Sequence, residues 1–308
     1  MREGMRVLLA GGEAAGVRAL RLLTDRALPP VAVAAADDGM AAAAARATVE
    51  AIDPARLAAA ETAQWIADQR IDLLLNAHSL HIVHGDVLAA LRVGGYNLHP
   101  GPLPAYAGLN APSWAIINGE DHHAVTLHEM TAEVDAGGIV ATAEVPLDER
   151  STGLSVSGQC ARLGIALLEQ LIEGLIAGEP VTGTPIVGER RLYRRRDRPY
   201  GGRVPWHEPA TVIDRLVRGC SFHPMPSPIG TPTTTAAVGE VGLLSGGPVD
   251  GPPSSTRPTP DPGTVVGAAE GTIVVAAGRN HYRIDRVLVG DEPAAAAEVL
   301  SVGEVLGP

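Results

Sequence analysis

An asparagine and a histidine stand two residues apart at the end of a predicted strand, in the segment Tyr96-Asn97-Leu98-His99. Residues two apart in a strand lie on the same face, so Asn97 and His99 are expected side by side. An amide N–H can stabilise an oxyanion, and an imidazole can move a proton near neutral pH. The pair therefore suits acyl transfer, although an Asn-x-His pair taken alone more often caps a turn.

A third candidate side chain, Asp135, follows further along the chain. The segment from His128 to Gly138 comes after a predicted strand and becomes a loop, with Asp135 at its tip and two glycines behind it. A single aspartate in a loop usually forms a turn. Glycines beside it permit close approach of the backbone to a ligand.

The elements that position these residues alternate between strands and helices over residues 1–188. Short apolar runs predict buried strands, and helical spacing of apolar residues separates them. This alternation predicts an α/β fold with a mostly parallel, doubly wound, Rossmann-like sheet covered by helices on both faces. Asn97 and His99 then lie at the carboxyl end of a parallel strand, where ligand crevices open. The predicted strands lie near Met5–Ala10, Val31–Ala34, Ile71–Asn76, Tyr96–Leu98, Val125–Met130 and Gly138–Val145.

A glycine-rich turn, Gly11 to Gly16, follows the first strand and opens a helix, as a dinucleotide-binding loop does. Glu13 occupies the position of the middle glycine that lets backbone approach a pyrophosphate. We therefore interpret this segment as a tight turn between strand and helix.

The character of the sequence changes after residue 188. Residues 189–205 hold an arginine cluster and are predicted to form a linker, and residues 206–308 are predicted to form a small β-rich domain that starts with a helix over Trp206–Cys220. Residues 245–263, rich in proline and glycine, are predicted to be disordered. The cluster comprises Arg190, Arg191, Arg194, Arg195, Arg196, Arg198 and Arg203.

Composition limits the classes of function. The 308 residues carry a net charge of −11 with 3% aromatic residues, which disfavours nucleic acid as the main partner. No apolar run is long enough for a membrane span, and the first residues lack a signal-peptide pattern, so the expected location is cytoplasmic. Two cysteines cannot form a disulfide framework.

Together, the motifs Asn-x-His-Pro-x-x-Leu-Pro-x-Tyr-x-Gly and His-x₆-Asp-x-Gly-Gly resemble those of the 10-formyltetrahydrofolate-dependent formyltransferase family. Its members formylate glycinamide ribonucleotide, methionyl-tRNA, or amines of sugars and amino acids. The resemblance covers the whole chain: residues 1–188 resemble the catalytic domain, and residues 206–308 resemble the open-barrel C-terminal domain of the methionyl-tRNA type.

The resemblance implies roles for individual residues. Asn97 would donate to the oxyanion, His99 would act as general base, and Asp135 would orient His99 and shuttle the proton; no metal is implied. The donor would be 10-formyltetrahydrofolate, held by two segments on either side of its pterin ring. These are His81, Ile82 and Val83 in one segment, and Met130, Thr131, Ala132, Glu133 and Val134 in the other.

The acceptor stays open at this point. Gly101 stands where serine is commoner in the family, and the basic insertion of tRNA-formylating members is absent, which favours a primary amine of a small molecule or a carrier-bound amino acid over methionyl-tRNA. The arginine cluster fits either a solvated linker or a seat for an anionic acceptor. A folate deformylase and a non-catalytic folate-binding protein are the remaining alternatives.

Overall fold

The structure is a computed structural model that describes residues 4–249 and 260–307. The chain folds into two compact units. The first comprises Met1–Ala111, His123–Val145 and Ser157–Tyr193, and the second comprises Pro112–His122, Pro146–Val156 and Arg194–Pro308. The second unit thus includes two short segments from within residues 1–188, which the sequence had assigned to the first domain.

The helices and strands follow one another in the order that strand–helix alternation predicts for the first part of the chain. The α-helices are α1 (Glu13–Asp25), α2 (Asp38–Arg46), α3 (Thr62–Asp68), α4 (Gly85–Ala89), α5 (Ala111–Asn118), α6 (Gly153–Ala177), α7 (Ala210–Gly219) and α8 (Ala296–Val299). The strands up to residue 193 are β1 (Val7–Gly11), β2 (Ala32–Ala35), β3 (Glu50–Ile52), β4 (Leu73–Ala77), β5 (Gly94–His99), β6 (Ala107–Gly108), β7 (His122–Glu129), β8 (Ile139–Pro146) and β9 (Leu192–Tyr193). The later strands are β10 (Thr233–Ala236), β11 (Gly239–Val249), β12 (Val265–Ala269), β13 (Thr272–Ala276), β14 (His281–Val289) and β15 (Glu292–Ala295).

The first unit is built on a seven-stranded sheet in the order β3-β2-β1-β4-β5-β7-β8. The pairs from β3 to β5 are parallel, whereas β5 and β7 are antiparallel. Every residue of β1 and β4 is buried, as expected for parallel strands that helices cover on both faces. The predicted mostly parallel α/β fold is confirmed.

The second unit contains a separate six-stranded antiparallel sheet in the order β10-β11-β14-β13-β12, with β15 paired to β14. Its apolar core combines Ile213 and Val217 of α7 with Trp206, Tyr282 and residues of the sheet. The predicted β-rich second region is confirmed, although α7 begins at Ala210, directly after Pro209, rather than at Trp206.

Two predictions for irregular segments need correction. Residues 245–249 were predicted to be disordered, but they form the end of β11, paired with β14. Gly246 explains the strand, because a Cβ there would overlap the carbonyl oxygen of Arg283 and contact the Tyr282 ring, so its lack of a side chain permits close pairing. Residues 250–259 of the same prediction lie outside the described residues.

The predicted linker 189–205 also contains regular structure. Leu192 and Tyr193 form β9, which pairs in parallel with β6, and Pro199–Gly202 form a 3₁₀ turn. Within the described residues, no helix has the length and apolar character needed to cross a membrane.

Candidate active site

Strand β5 delivers Asn97 and His99 to one face of the first unit, as the alternation of strand side chains predicts. The strand pairs with β4 on one side and β7 on the other, which fixes its register. The His99 side chain is buried, and Asn97 is half-buried. A Cβ at Gly101 would lie 2.8 Å from Nε2 of His99, so the glycine leaves room for the imidazole.

The loop after β7 brings Asp135 to the same place. Asp135 has a left-handed φ of 50°, a conformation that aspartate tolerates better than most residues. One carboxylate oxygen, Oδ2, accepts the backbone N–H of Gly108 at 2.7 Å and lies 3.5 Å from Nδ1 of His99. The other, Oδ1, accepts from Nδ2 of Asn97 at 3.3 Å. The three predicted catalytic side chains therefore meet in one cluster.

The orientation of His99 follows from its backbone partner. Nε2 lies 2.6 Å from the carbonyl oxygen of Tyr106, which can only accept, so Nε2 carries the hydrogen. The lone pair of a neutral ring is then on Nδ1, which faces Asp135. Burial lowers the pKa of His99 below its ordinary value, and the Asp135 charge opposes this shift only in part. His99 is therefore a neutral imidazole with its basic nitrogen beside a carboxylate.

Asp135 is ionised despite its burial. Burial raises the pKa of this carboxyl, but the charge that His99 carries when it is protonated, the contact with His128 and the Gly108 amide outweigh it and hold the pKa well below the usual range. A carboxylate is thus available to stabilise a positive charge on the neighbouring imidazole.

His128 is a member of the cluster to which the sequence alone assigned no role. It lies on β7 directly opposite Asn97 and is buried. Its Nδ1 donates to the carbonyl oxygen of Glu129 at 2.7 Å, and its Nε2 lies 3.0 Å from Nδ2 of Asn97 and 3.4 Å from Oδ1 of Asp135. A neutral His128 therefore accepts a hydrogen bond from Asn97. Its position at the head of the second motif was the only sequence signal.

The two glycines after Asp135, Gly137 and Gly138, permit close contacts between backbone segments. A Cβ at Gly137 would overlap the carbonyl oxygen of Glu129, and a Cβ at Gly138 would lie 2.8 Å from the backbone of Gly183. The sequence predicted that these glycines would let the backbone approach a ligand, but in the structure they let it approach neighbouring backbone of the same chain. These contacts shape the loop that carries Asp135.

The two segments predicted to bind folate are neighbours in space. A Cβ at Gly85, just after the first segment, would lie 3.5 Å from Cβ of Ala132 in the second. His81 and Ile82 are exposed, whereas the Val83 side chain is buried in the core, so only the backbone of Val83 is available to a ligand.

In the second folate segment, Met130 packs against the same core and its N–H donates to Gly95, while the residues from Thr131 to Val134 are exposed. Arg190 holds this segment by two contacts. Its Nη2 donates to the carbonyl oxygen of Val134 at 2.5 Å, and its Nη1 lies 3.4 Å from the Glu133 carboxylate.

The glycine-rich turn after β1 holds side-chain carboxylates at the start of α1. The Glu13 N–H donates to Oδ2 of Asp37 at 2.6 Å, and the Glu13 carboxylate lies 3.2 Å from Nδ1 of His78. Two acidic side chains thus stand where a dinucleotide would place its pyrophosphate, which supports the interpretation as a tight turn. Within the described ranges, no group of three or more His, Cys, Asp and Glu side chains is arranged to hold a metal ion.

Among curated proteins, the chain is similar to the GDP-perosamine N-formyltransferases of Brucella melitensis and Brucella abortus, with 32% identity over 155 residues. The alignment covers 50% of this chain and 59% of those relatives, so the chain spans less than two thirds of their length.

Among solved structures, it resembles an N-formyltransferase from Helicobacter canadensis in complex with folinic acid and dTDP-3-aminofucose (TM-score 0.68, 15% identity, 91% of this chain and 98% of that one). It also resembles HypX from Aquifex aeolicus in complex with tetrahydrofolic acid (TM-score 0.64, 20% identity, 96% of this chain and 46% of that one). At these identities the likeness shows the fold.

Family models extend the similarity over most of the sequence. The model described as formyl transferase matches residues 12–172, just over half of the chain, and the model described as formyl transferase, C-terminal domain, matches residues 198–302. The motifs that suggested the resemblance, including Asn97, His99 and Asp135, lie within the first match. The chain belongs to the formyltransferase family.

Proposed function

We propose that this protein transfers the formyl group of 10-formyltetrahydrofolate to a primary amine of a small molecule, and specifically to an amino sugar linked to a nucleotide. The buried cluster of Asn97, His99 and Asp135 carries the proposal, because it combines a neutral base, an amide donor and a carboxylate at one strand end. The Brucella relatives are named for an amino-sugar substrate, which supports this acceptor class.

In the proposed reaction the acceptor amine attacks the formyl carbon and forms the new C–N bond. Nδ1 of His99 takes the proton that the amine loses, and Asp135, 3.5 Å away, stabilises the resulting imidazolium. The adduct collapses by breaking the bond between the carbon and the folate nitrogen, which receives the proton from His99. The products are the N-formylated amine and tetrahydrofolate.

Asn97 is assigned to the oxygen of the formyl group, which becomes negative in the tetrahedral adduct. Its Nδ2 is held between His128 and Asp135, so the amide cannot rotate freely. Both N–H groups of the amide have partners in the structure, so one of these hydrogen bonds is exchanged for a bond to the oxyanion as the adduct forms.

The two adjacent segments suit the flat, largely apolar rings of the folate donor. Leu80, Ile82 and Val134 are 55%, 63% and 41% exposed, so their apolar side chains are accessible to such a ring. Backbone groups near Val83 and the loop of Thr131–Val134 would hold the polar edge of the pterin.

The test uses formyl-labelled 10-formyltetrahydrofolate with four acceptors: an amino-sugar nucleotide, the corresponding free amino sugar, a carrier-bound amino acid and methionyl-tRNA. Mass spectrometry follows the label in the wild type and in His99→Ala. The variant should lose about 10²- to 10⁴-fold in transfer rate and keep folate binding. His122→Ala removes an exposed histidine of β7 and serves as the matched control with unchanged rate.

Label on the amino-sugar nucleotide, lost in His99→Ala, supports the proposal. Label only on methionyl-tRNA or on the carrier-bound amino acid would overturn the acceptor class while keeping formyl transfer. Free formate as the only product would indicate hydrolysis. Folate binding without turnover in either protein would indicate a binding protein and would refute the assigned chemistry.

A further inference from the structure

The second unit contains a cleft of about 450 Å³ that the proposed chemistry does not use. Its volume is in the range of small-molecule sites. The side chains that matter for its chemistry are two guanidinium groups, two aromatic rings and one amide, contributed by Arg198, Arg215, Trp114, Tyr200 and Asn118.

Arg215, on α7, brings an unneutralised charge to this cleft. Its Nε is buried and has no hydrogen-bond partner among the described residues. The adjacent Asp214 does not neutralise it, because that carboxylate is paired with Nε of Arg218 at 2.7 Å. The guanidinium packs on Gly119, at the carboxyl end of α5, and any larger residue at position 119 would displace it. Arg215 is thus a cation in a fixed position whose Nε–H donor has no partner among the described residues.

Arg198 supplies the second cation from the arginine cluster. Its Nη1 donates to the carbonyl oxygen of Ile229 at 3.0 Å, which fixes the guanidinium and leaves its other N–H groups for a ligand. The preceding residues Arg194, Arg195 and Arg196 are exposed. Burial and the charge of Glu208 raise the pKa of the Tyr200 hydroxyl, and the charge of Arg215 opposes them. The described residues that line the cleft include these two arginines and no acidic side chain. Cationic groups therefore predominate on this part of the unit.

The aromatic side chains differ in exposure. Trp114 is 8% exposed and forms part of the wall, whereas Tyr200 is 44% exposed. The backbone at Tyr200 is left-handed, with φ of 50°, and the next two residues, Gly201 and Gly202, are left-handed as well. A non-glycine residue held in this conformation is strained, and such strain is common where a side chain is presented to a ligand.

We propose that this cleft binds a nucleoside diphosphate, with the phosphates on Arg198 and Arg215 and the base against Tyr200. Guanidinium groups match phosphate oxygens in geometry and charge, and aromatic rings stack on any base. A volume of about 450 Å³ favours a mononucleotide over RNA, as does the net charge of −11 for the whole chain. The proposal is independent of the formyl-transfer chemistry, because binding can be measured without folate or acceptor.

Isothermal titration of the full chain with GDP, dTDP and inorganic pyrophosphate tests the site. Arg215→Gln and Arg198→Gln should each weaken GDP binding by about 10- to 100-fold, the usual value of a hydrogen bond to a charged group. Arg286→Gln removes an exposed arginine of the same unit with the same change in net charge, and it should bind as the wild type does. Thermal unfolding of each variant checks that the unit stays folded.

Tyr200→Gly distinguishes the contribution of the base to binding from that of the phosphates. It removes the ring that would stack on the base, and glycine adopts the left-handed backbone without strain. In this variant GDP affinity should fall to that of pyrophosphate, while pyrophosphate binding is unchanged. Absence of GDP binding to the wild type at millimolar concentration, or equal binding by wild type, Arg198→Gln and Arg215→Gln, would overturn the proposal.

A free nucleotide and the nucleotide part of a larger acceptor both present a nucleoside diphosphate to the cleft. The KM values of the variants distinguish these two ligands. If the acceptor itself occupies the cleft, Arg215→Gln raises the KM for a nucleotide-linked amine and leaves the KM for folate unchanged. If a free nucleotide occupies it, both KM values are unchanged and GDP binding alone is lost.

Discussion

At the scale of single residues, the site depends on which nitrogen of each histidine carries a hydrogen. Tyr106 fixes the hydrogen of His99 on Nε2, and Glu129 fixes that of His128 on Nδ1. Both assignments come from backbone carbonyls, which accept at every pH. The other two nitrogens, Nδ1 of His99 and Nε2 of His128, both face Asp135, so one carboxylate lies beside the proton-accepting nitrogens of two rings.

The pH dependence of the transfer rate should follow His99. The base form is required, and burial lowers the pKa of His99, so the acid limb of kcat/KM should have its midpoint below the ordinary histidine value of 6.5. In Asp135→Asn the charge that raises the pKa of His99 is lost, and the acid limb should move to still lower pH while kcat drops. A rate profile for both proteins with the amino-sugar nucleotide measures this. A limb that moves upward in the variant would contradict the assignment.

His128 is predicted to position Asn97. His128→Phe keeps a flat buried ring but removes the acceptor, so kcat should fall about tenfold or more with little change in the KM for folate. His128→Gln offers a side-chain oxygen to the same amide and should recover part of the rate. Equal rates for the Phe and Gln variants, both folded by thermal unfolding, would show that His128 only fills space.

At the scale of elements, the short β6–β9 pair positions the amide that binds Asp135. Gly108 of β6 has a φ of 90° and donates to Asp135, and a Cβ there would overlap the carbonyl oxygen of Tyr193. Gly108→Ala should therefore destabilise the protein by about 1 to 3 kcal/mol through strain and reduce the transfer rate. Gly158→Ala on the exposed face of α6 meets no atom and should stabilise it by about 0.5 to 1 kcal/mol. Urea unfolding of both variants measures the contrast, and equal destabilisation would refute it.

Local sequence patterns predicted the elements that hold the site but not every contact within it. Asn97 and His99 were predictable because strand alternation is a local rule, and the sheet order confirms their strand. His128 was not, because its role depends on register with β5, which no local pattern encodes. The strand at 245–249 was missed because the glycine that permits close pairing, Gly246, also lowers the apolar content by which strands are recognised.

At the scale of the whole molecule, opposite charges are unevenly distributed. The chain has a net charge of −11, yet seven of its 24 basic residues fall between residues 190 and 203. The structure divides this cluster by use: Arg190 and Arg191 contact Val134 and Tyr193 in the first unit, and Arg203 pairs with Glu240 in the second. Of the rest of the cluster, Arg194, Arg195 and Arg196 are exposed and Arg198 lines the cleft that we propose as a nucleotide site.

Cys160 and Cys220, the two thiols of the chain, lie one in each unit and are buried, 1% and 5% exposed. Burial raises the pKa of each to about 12, so neither is a thiolate at neutral pH. Iodoacetamide should therefore leave the native protein unlabelled over minutes and modify each cysteine only when its unit opens. Labelling of the folded protein at the rate of a free thiol would contradict this.

Because each unit contains one buried cysteine, the alkylation rate of that cysteine reports the opening of its unit without an engineered probe. With increasing urea, the alkylation half-lives of the two cysteine peptides, read by mass spectrometry, time the opening of the first and second units separately in one sample. A saturating ligand slows the alkylation of the cysteine only in the unit that it stabilises. Folate and GDP can therefore each be assigned to a unit by the thiol that they protect.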